Sequence, residues 1–250
     1  MEKLSITIIT YNEEKNIDRC LRSVQWADEI VVLDSFSTDR TVEICQRYGV
    51  RVEQETWQGY GKQKNLCAAL AKNRWILNLD ADEEVSPEGA EEIKALLREK
   101  FVHRAYDFPR KNFFGKRWIR YGGWYPDRII RLYDKLQVRF SEGLVHEKLF
   151  PDDDVGSLRE PLIHHSFTDM EDYVRRQNRY STLYALEKSR AGWKAGWTHL
   201  CLRPPWMFLK TFFLRQGFRE GFLGLFIAAA MAFYTFLKYA KTRSIDAGGG

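Results

Sequence analysis

Residues 74–84 read RWILNLDADEE. Trp75, Ile76, Leu77 and Leu79 form an apolar run, and four carboxylates close it: Asp80, Asp82, Glu83 and Glu84. A short apolar run with polar ends reads as a buried strand. Its acidic end suits a solvated loop that starts a helix, where carboxylates favour the helix dipole. It equally suits an oxygen cage for a divalent cation. The neighbouring sequence has to decide.

The same alternation runs outward from this stretch. LSITIITYN (4–12) and EIVVLDS (29–35) read as buried strands, and VRVEQE (50–55) as a short third one. Between them, Ile17, Leu21 and Val24 recur at helical spacing. Residues 37–49 read as a helix with Ser37 or Thr38 as N-cap and Gly49 as its stop. Residues 59–73 run from a loop into a helix, and 86–100 form a helix with Ser86 as N-cap and Pro87 in its first turn. Alternating strands and helices over 1–100 predict an α/β fold, a mainly parallel sheet with helices on both faces. Ligands bind such sheets at the carboxyl ends of the strands. Tyr11–Glu13, Asp34–Ser37 and Asp80–Asp82 all fall there, which raises the metal reading of Asp80 and Asp82 above that of a lone acidic loop.

At 250 residues, with 44% hydrophobic and 29% charged content, the chain is a folded globular protein with room for one substantial core. The formal net charge of +5 is mild, but the last third concentrates Lys and Arg among Trp, Phe and Tyr. That composition suits a membrane surface or an anionic partner. Cys20, Cys45, Cys67 and Cys201 show no CxxC spacing, so reduced thiols in a cytoplasmic protein are expected, with no zinc site. The N-terminus enters a strand-like run directly, so no signal peptide is expected. No nucleic-acid partner is expected.

Several further residues carry candidate chemistry. Tyr11 can stack on a base, Asn12 and Glu13 can bond a ribose or start a helix, and Asp34 can accept from an imide N–H or serve as a strand-end cap. GYGKQKN (59–65) is no Walker loop, and no GxGxxG follows the first strand. Lys62 and Asn65 are donor-contact candidates from the edge of that helix. Residues 101–165 are rich in aromatics and Arg, and their short strands read as an antiparallel addition that covers a site. There, Gly122 and Gly123 allow close backbone approach to a sugar. Trp124 and Tyr125 offer an acceptor platform or core packing, and Asp127 and Glu147 are candidate bases. In LIHHSF (162–167) the two histidines face opposite ways on a strand, so only one can meet a site.

Together, ITYNEEKNIDRCLRSV, ADEIVVLDSFSTDRT, WQGYGKQKN, WILNLDADE, GGWYPDRIIRLYDK and LVHEKLF resemble glycosyltransferase family two, the inverting GT-A enzymes that use nucleotide-diphosphate sugars. The pieces look most like the bacterial lipopolysaccharide core glycosyltransferases of the WaaE/KdtX type, over residues 4–240. The resemblance implies a GT-A, Rossmann-like domain over 1–168. It implies a nucleoside pocket lined by Thr10, Tyr11, Glu13 and Asp34, and a DxD formed by Asp80 and Asp82. Asp82 would meet Mg²⁺ or Mn²⁺. His164, with His165 in reserve, would be a C-terminal metal or diphosphate ligand. Glu147 would be the base, with His146–Glu147 standing where relatives carry a Glu-Asp pair. The implied reaction moves a hexose, glucose by family preference, from a UDP sugar to lipopolysaccharide core or another lipid-linked glycan. Two rivals are a sugar-nucleotidyltransferase and a non-catalytic sugar-nucleotide-binding, membrane-associated protein. The first usually needs a Gly-rich N-terminal loop, absent from TIITYNEEKN; the second has no use for Glu147 or a metal pair.

Residues 169–246 are expected to be helical and to lie on the inner face of the cytoplasmic membrane, with a flexible tail over 247–250. Within them, 221–237 (GFLGLFIAAAMAFYTFL) carries no charge for 17 residues, the short limit for a bilayer span. Lys210, Arg215, Arg219, Lys238 and Lys241 flank it. A span, a helix packed on the domain, and a helix pair lying in the leaflet are all open at this point.

Overall fold

The computed structural model describes residues 2–141, 149–150 and 153–247. They pack as two units, Met1–Arg110 with Arg128–His164, and Lys111–Asp127 with His165–Gly250.

In the first unit, β1 (Leu4–Thr10), α1 (Ile17–Ser23), β2 (Glu29–Asp34), α2 (Thr41–Arg47), β3 (Arg51–Gln54), α3 (Tyr60–Leu70) and β4 (Trp75–Asp80) alternate as expected. Then come β5 (Glu83–Val85), α4 (Pro87–Arg98), β6 (Ala105–Phe114), β7 (Arg117–Trp118) and β8 (Asp127–Asp134). β9 (Arg139–Phe140), β10 (Leu149–Phe150), β11 (Val155–Ser157) and β12 (Leu162–Phe167) complete the strands among the described residues. The main sheet runs β3-β2-β1-β4-β8-β6-β12-β5. β1 pairs in parallel with β2 and β4, and β2 with β3, while β4–β8 and β12–β5 are antiparallel. The 101–165 strands are therefore antiparallel in part, as read: β6, β8 and β12 lengthen this sheet, β7 and β11 pair with β6, and β9 and β10 form a separate two-stranded antiparallel sheet.

Burial on both faces explains the apolar runs of β1 and β4. Leu4, Ile6, Ile8, Leu77 and Leu79 pack with α1 and α4 on one face. Ile9, Val31, Leu33 and Ile76 meet Cys67 and Ala68 of α3 on the other. Ser86 caps α4 by accepting from the Gly89 N–H at 3.0 Å. α2 begins later than its sequence suggests, because Ser37 is engaged elsewhere. Asp39 accepts from the Thr41 N–H at 3.0 Å in its place, and Gly49 stops the helix at φ +64.

The second unit takes the ends of β6 and β12, with β7, and adds α5 (Met170–Arg190), α6 (Trp197–Cys201), α7 (Arg203–Leu209) and α8 (Phe222–Ala247). A π-helical stretch, Lys210–Leu214, continues α7, and a 3-10 turn, Gly217–Glu220, precedes α8. Residues 111–127 belong here because Phe114, Ile119 and Trp124 share an apolar cluster with Tyr173 and Ile227. Buried Glu220 ties the same segment down. Its carboxylate accepts from the Arg120 and Tyr121 N–H groups at 2.8 and 3.1 Å and from Arg117 at 2.8 Å.

Candidate active site

The carboxyl ends of three neighbouring strands set the site of the first unit. Thr10 of β1 lies in register with Asp34 of β2, and Ile9 with Asp80 of β4. Asp34 is fully buried. Its carboxylate accepts from Thr10 Oγ1 at 3.0 Å, the Ser37 N–H at 2.8 Å, Gln54 Nε2 at 3.1 Å and the Ser37 hydroxyl. Asn12, at φ +56, donates its N–H to Ser37 Oγ and accepts from the Thr38 N–H, both at 2.8 Å. The loops after β1 and β2 are thus tied to each other. The Glu13 N–H donates to Thr41 Oγ1, and its carboxylate accepts from Asn16. Tyr11 and Phe36 stand exposed at these two strand ends, the arrangement an aromatic base would stack on. Phe36 was legible only as an apolar residue stranded between Ser35 and Ser37.

At the end of β4 the carboxylates separate by role. Asp80 Oδ1 lies 3.0 Å from Lys64 Nζ, and Oδ2 is bonded by Arg131. Burial alone would raise the Asp80 pKa, but Arg131 and Lys64 outweigh it and hold the acid far below the carboxylate range. Lys64 and Arg131 are themselves almost wholly buried. Glu83 is fully buried and completes the knot. It accepts from the Asp80 N–H at 3.1 Å, from Arg131 at 2.7 Å and from Arg110 at 3.4 Å. Arg131 burial works against its charge, yet Asp80 and Glu83 push its pKa up. Glu84 pairs with Arg19 at 2.7 Å.

Asp82 points to a different partner. Its Oδ2 lies 3.5 Å from His164 Nε2, and both side chains are largely buried. Burial would lower the His164 pKa, but the hydrogen bond and charge of Asp82 raise it above the ordinary imidazole value. His165 turns the other way and stacks on Phe113 at 5.5 Å. No cluster of three or more His, Cys, Asp or Glu fit to hold a metal exists among the described residues. Asp82 and His164 together offer one carboxylate and one imidazole, a mixed donor set that a divalent cation could share with phosphate oxygens and water.

Other predicted residues are placed as follows. Lys62 is on the exposed side of α3. Asn65 grips the Phe140 backbone at both ends, accepting its N–H and donating to its carbonyl at 2.9 Å each, so its amide is engaged by the fold. Glu147 and His146 lie outside the described residues. In the second unit, a side chain at Gly123 would run into Arg215. Trp124 is half-buried and stacks on Tyr173 at 6.3 Å, against the apolar cluster of this unit. Tyr125 meets Trp118 edge-on at 5.3 Å, and Asp127 accepts from Asn112 at 3.1 Å.

Comparison with known proteins follows the same lines. The family model described as "Glycosyl transferase family 2" matches residues 5–147. An uncharacterized glycosyltransferase of Rickettsia bellii is 34% identical over 98% of this chain and 87% of its own. The lipopolysaccharide core biosynthesis glycosyltransferase LpsC of Rhizobium meliloti is 30% identical over 95% of this chain and 91% of its own. Glucosyl-3-phosphoglycerate synthase from Mycobacterium tuberculosis, solved with Mn²⁺, UDP and glucosyl-3-phosphoglycerate, shares the fold. It has a TM-score of 0.52 at 16% identity, over 77% of this chain and 81% of that one.

Proposed function

The chain belongs to glycosyl transferase family 2, and from that premise we propose that it moves a hexose, glucose in the first instance, from a UDP sugar to a lipid-linked saccharide. Lipopolysaccharide core of the kind handled by WaaE/KdtX-type enzymes is the favoured acceptor. The likeness to LpsC over 95% of the chain supports that choice. The observation that carries the reading is the division of labour after β4. Asp80 is locked to Lys64 and Arg131, while Asp82 and His164 converge beside it.

The nucleoside end of the donor is assigned to Tyr11 and the Thr10–Asp34–Glu13 loop pair, with Lys62 as an outer contact. Asp82 and His164 would hold a divalent cation, Mg²⁺ or Mn²⁺, which when bound neutralises charge on the departing diphosphate. The Mn²⁺ and UDP bound by the mycobacterial synthase support this choice of ligands. Glu147 takes the proton from the acceptor hydroxyl as that oxygen attacks the anomeric carbon, giving inversion in one displacement. Asp127 is the second candidate base, and Tyr125 an acceptor contact. The acceptor is reached from the inner face of the cytoplasmic membrane.

The test is a turnover screen of UDP-, GDP- and dTDP-sugars with isolated lipopolysaccharide acceptors, with and without Mg²⁺ or Mn²⁺. Metal-dependent transfer from a UDP hexose is the expected result. Transfer that persists undiminished in a chelator overturns the metal assignment, and absence of transfer with every donor overturns the acceptor class.

A further inference from the structure

We propose that the second unit docks on an anionic lipid bilayer through the outward face of the helix spanning residues 203–214, which lies in the headgroup plane, and that α8 does not cross the membrane. The proposal deepens the lipid-linked acceptor reading by naming the surface that meets the lipid.

The first observation is an inverted helix. Leu202, Trp206, Leu209 and Phe213 recur at i, i+4, i+7 and i+11, the spacing that normally marks a core-facing stripe. Here that stripe faces outward, and with Leu214 and Phe218 these side chains are 46 to 66% exposed. The opposite side of the helix is already packed, with Thr211 buried and Met207 and Phe208 half-buried. A helix apolar on both sides has no stable place in water unless its outer side is covered.

The second observation is charge. From Lys188 to Arg243 there are ten Lys and Arg and a single acidic residue, Glu220. Glu220 is buried and already engaged by Arg117. The surface of this stretch therefore offers apolar side chains and cations without an accessible carboxylate. Anionic headgroups over acyl chains complement both features. A second copy of the same face does not, since cations would meet cations.

The third observation concerns α8. Phe222–Ile245 is long and apolar enough to cross a membrane by length and composition. It is, however, laced to α5. Lys241 Nζ bonds the Asn178 carbonyl and side chain, Ser181 Oγ and Thr182 Oγ1 at 2.7 to 2.9 Å. Lys238 lies over the Tyr184 ring at 4.9 Å. α5 carries eight charged residues in its 21. A spanning α8 would drag those charges into hydrocarbon, where each one near the centre is strongly disfavoured. In-plane docking leaves them in water.

The experiment is co-sedimentation of the full chain with phosphatidylcholine vesicles, with and without phosphatidylglycerol, in the absence of donor and acceptor. Wild type should bind only the anionic vesicles, lose binding at high salt, and leave them in alkaline carbonate. The pair Trp206→Ser and Phe213→Ser, at exposed positions, should cut partition at least about tenfold with an unchanged melting curve. Val102→Ser, an exposed apolar position of the first unit, should change nothing. Failure to bind anionic vesicles, binding untouched by the double substitution, or resistance to carbonate overturns the proposal. So does a dimer, seen by light scattering, that the double substitution dissociates while vesicles go unbound. Because no sugar transfer is read, loss of this proposal leaves the donor screen standing, and a failed screen leaves vesicle binding standing.

Discussion

Lys64 and Asp80 meet at 3.0 Å, and the lysine is 2% exposed. A buried ammonium beside the first acid of the DxD keeps that acid ionised. With Arg131 on its other oxygen, Asp80 has a fixed orientation and a fixed charge. Asp82, two residues on, is the member turned toward His164. The pair of acids is thus asymmetric before any donor arrives.

Arg131 should be the most costly residue of this knot to lose. Arg131→Met leaves Glu83, fully buried, to the longer 3.4 Å contact with Arg110. Breaking a buried pair from one side costs about 3–5 kcal/mol, readable as a shift of the urea midpoint. Arg131→Lys should recover part of it, since charge returns without the fork that reaches both acids. A loss in Arg131→Met below about 1 kcal/mol would mean that Glu83 is satisfied without it.

Asp82→Ala and His164→Ala should each remove the gain in UDP affinity that Mn²⁺ gives the intact protein. Calorimetric titration with and without the metal reads this directly. The two losses should not add, because both residues would hold the same ion. A metal-induced gain that survives in Asp82→Ala removes this acid from the site.

Glu147→Gln should slow transfer by about 10²–10⁴, the usual contribution of a positioned base, while UDP affinity stays within twofold or so. Turnover near that of the intact protein would pass the role to Asp127, to be checked with Asp127→Asn.

Asp134 gives a pH signature. Burial would raise its pKa, but Arg74 at 2.6 Å, the Leu136 N–H and Gln137 hold it below the ordinary value. A lowered folded pKa contributes stability above the unfolded value of about 3.9, and that contribution fades as pH falls through the lower folded value. Arg74→Met should therefore raise the midpoint of acid unfolding while changing little in the shape of the curve above neutrality. An unmoved acid midpoint counts against the pair.

The alternation of strand and helix over the first hundred residues was legible because burial on both faces demands long apolar runs, and polar residues at their ends stand out. Asp34, Asp80 and Asp82 were found that way. Lys64 and Arg131 were not, since a charged residue in sequence looks solvated. The signals were positional. Lys64 shares a helix face with Cys67, Ala68 and Ala71, and Arg131 alternates in phase with Tyr133, both places that call for an apolar side chain. The contacts of Trp124 and Gly123 were not legible, because composition cannot tell an aromatic packed against a core from one on an open surface. Tyr173 and Arg215, which occupy them, lie far along the chain.

The register of β1 between β2 and β4 works as a ruler. Thr10 sits opposite Asp34 and Ile9 opposite Asp80, so the backbones of the two acids stand two strand spacings, about 10 Å, apart, and their side chains leave opposite faces of the sheet. Hydrogen bonding along the ladder sets that backbone interval. Sliding β1 by one residue would turn every side chain to the opposite face, erasing the scale together with the core. The spacing of these strand ends is thus inseparable from folding.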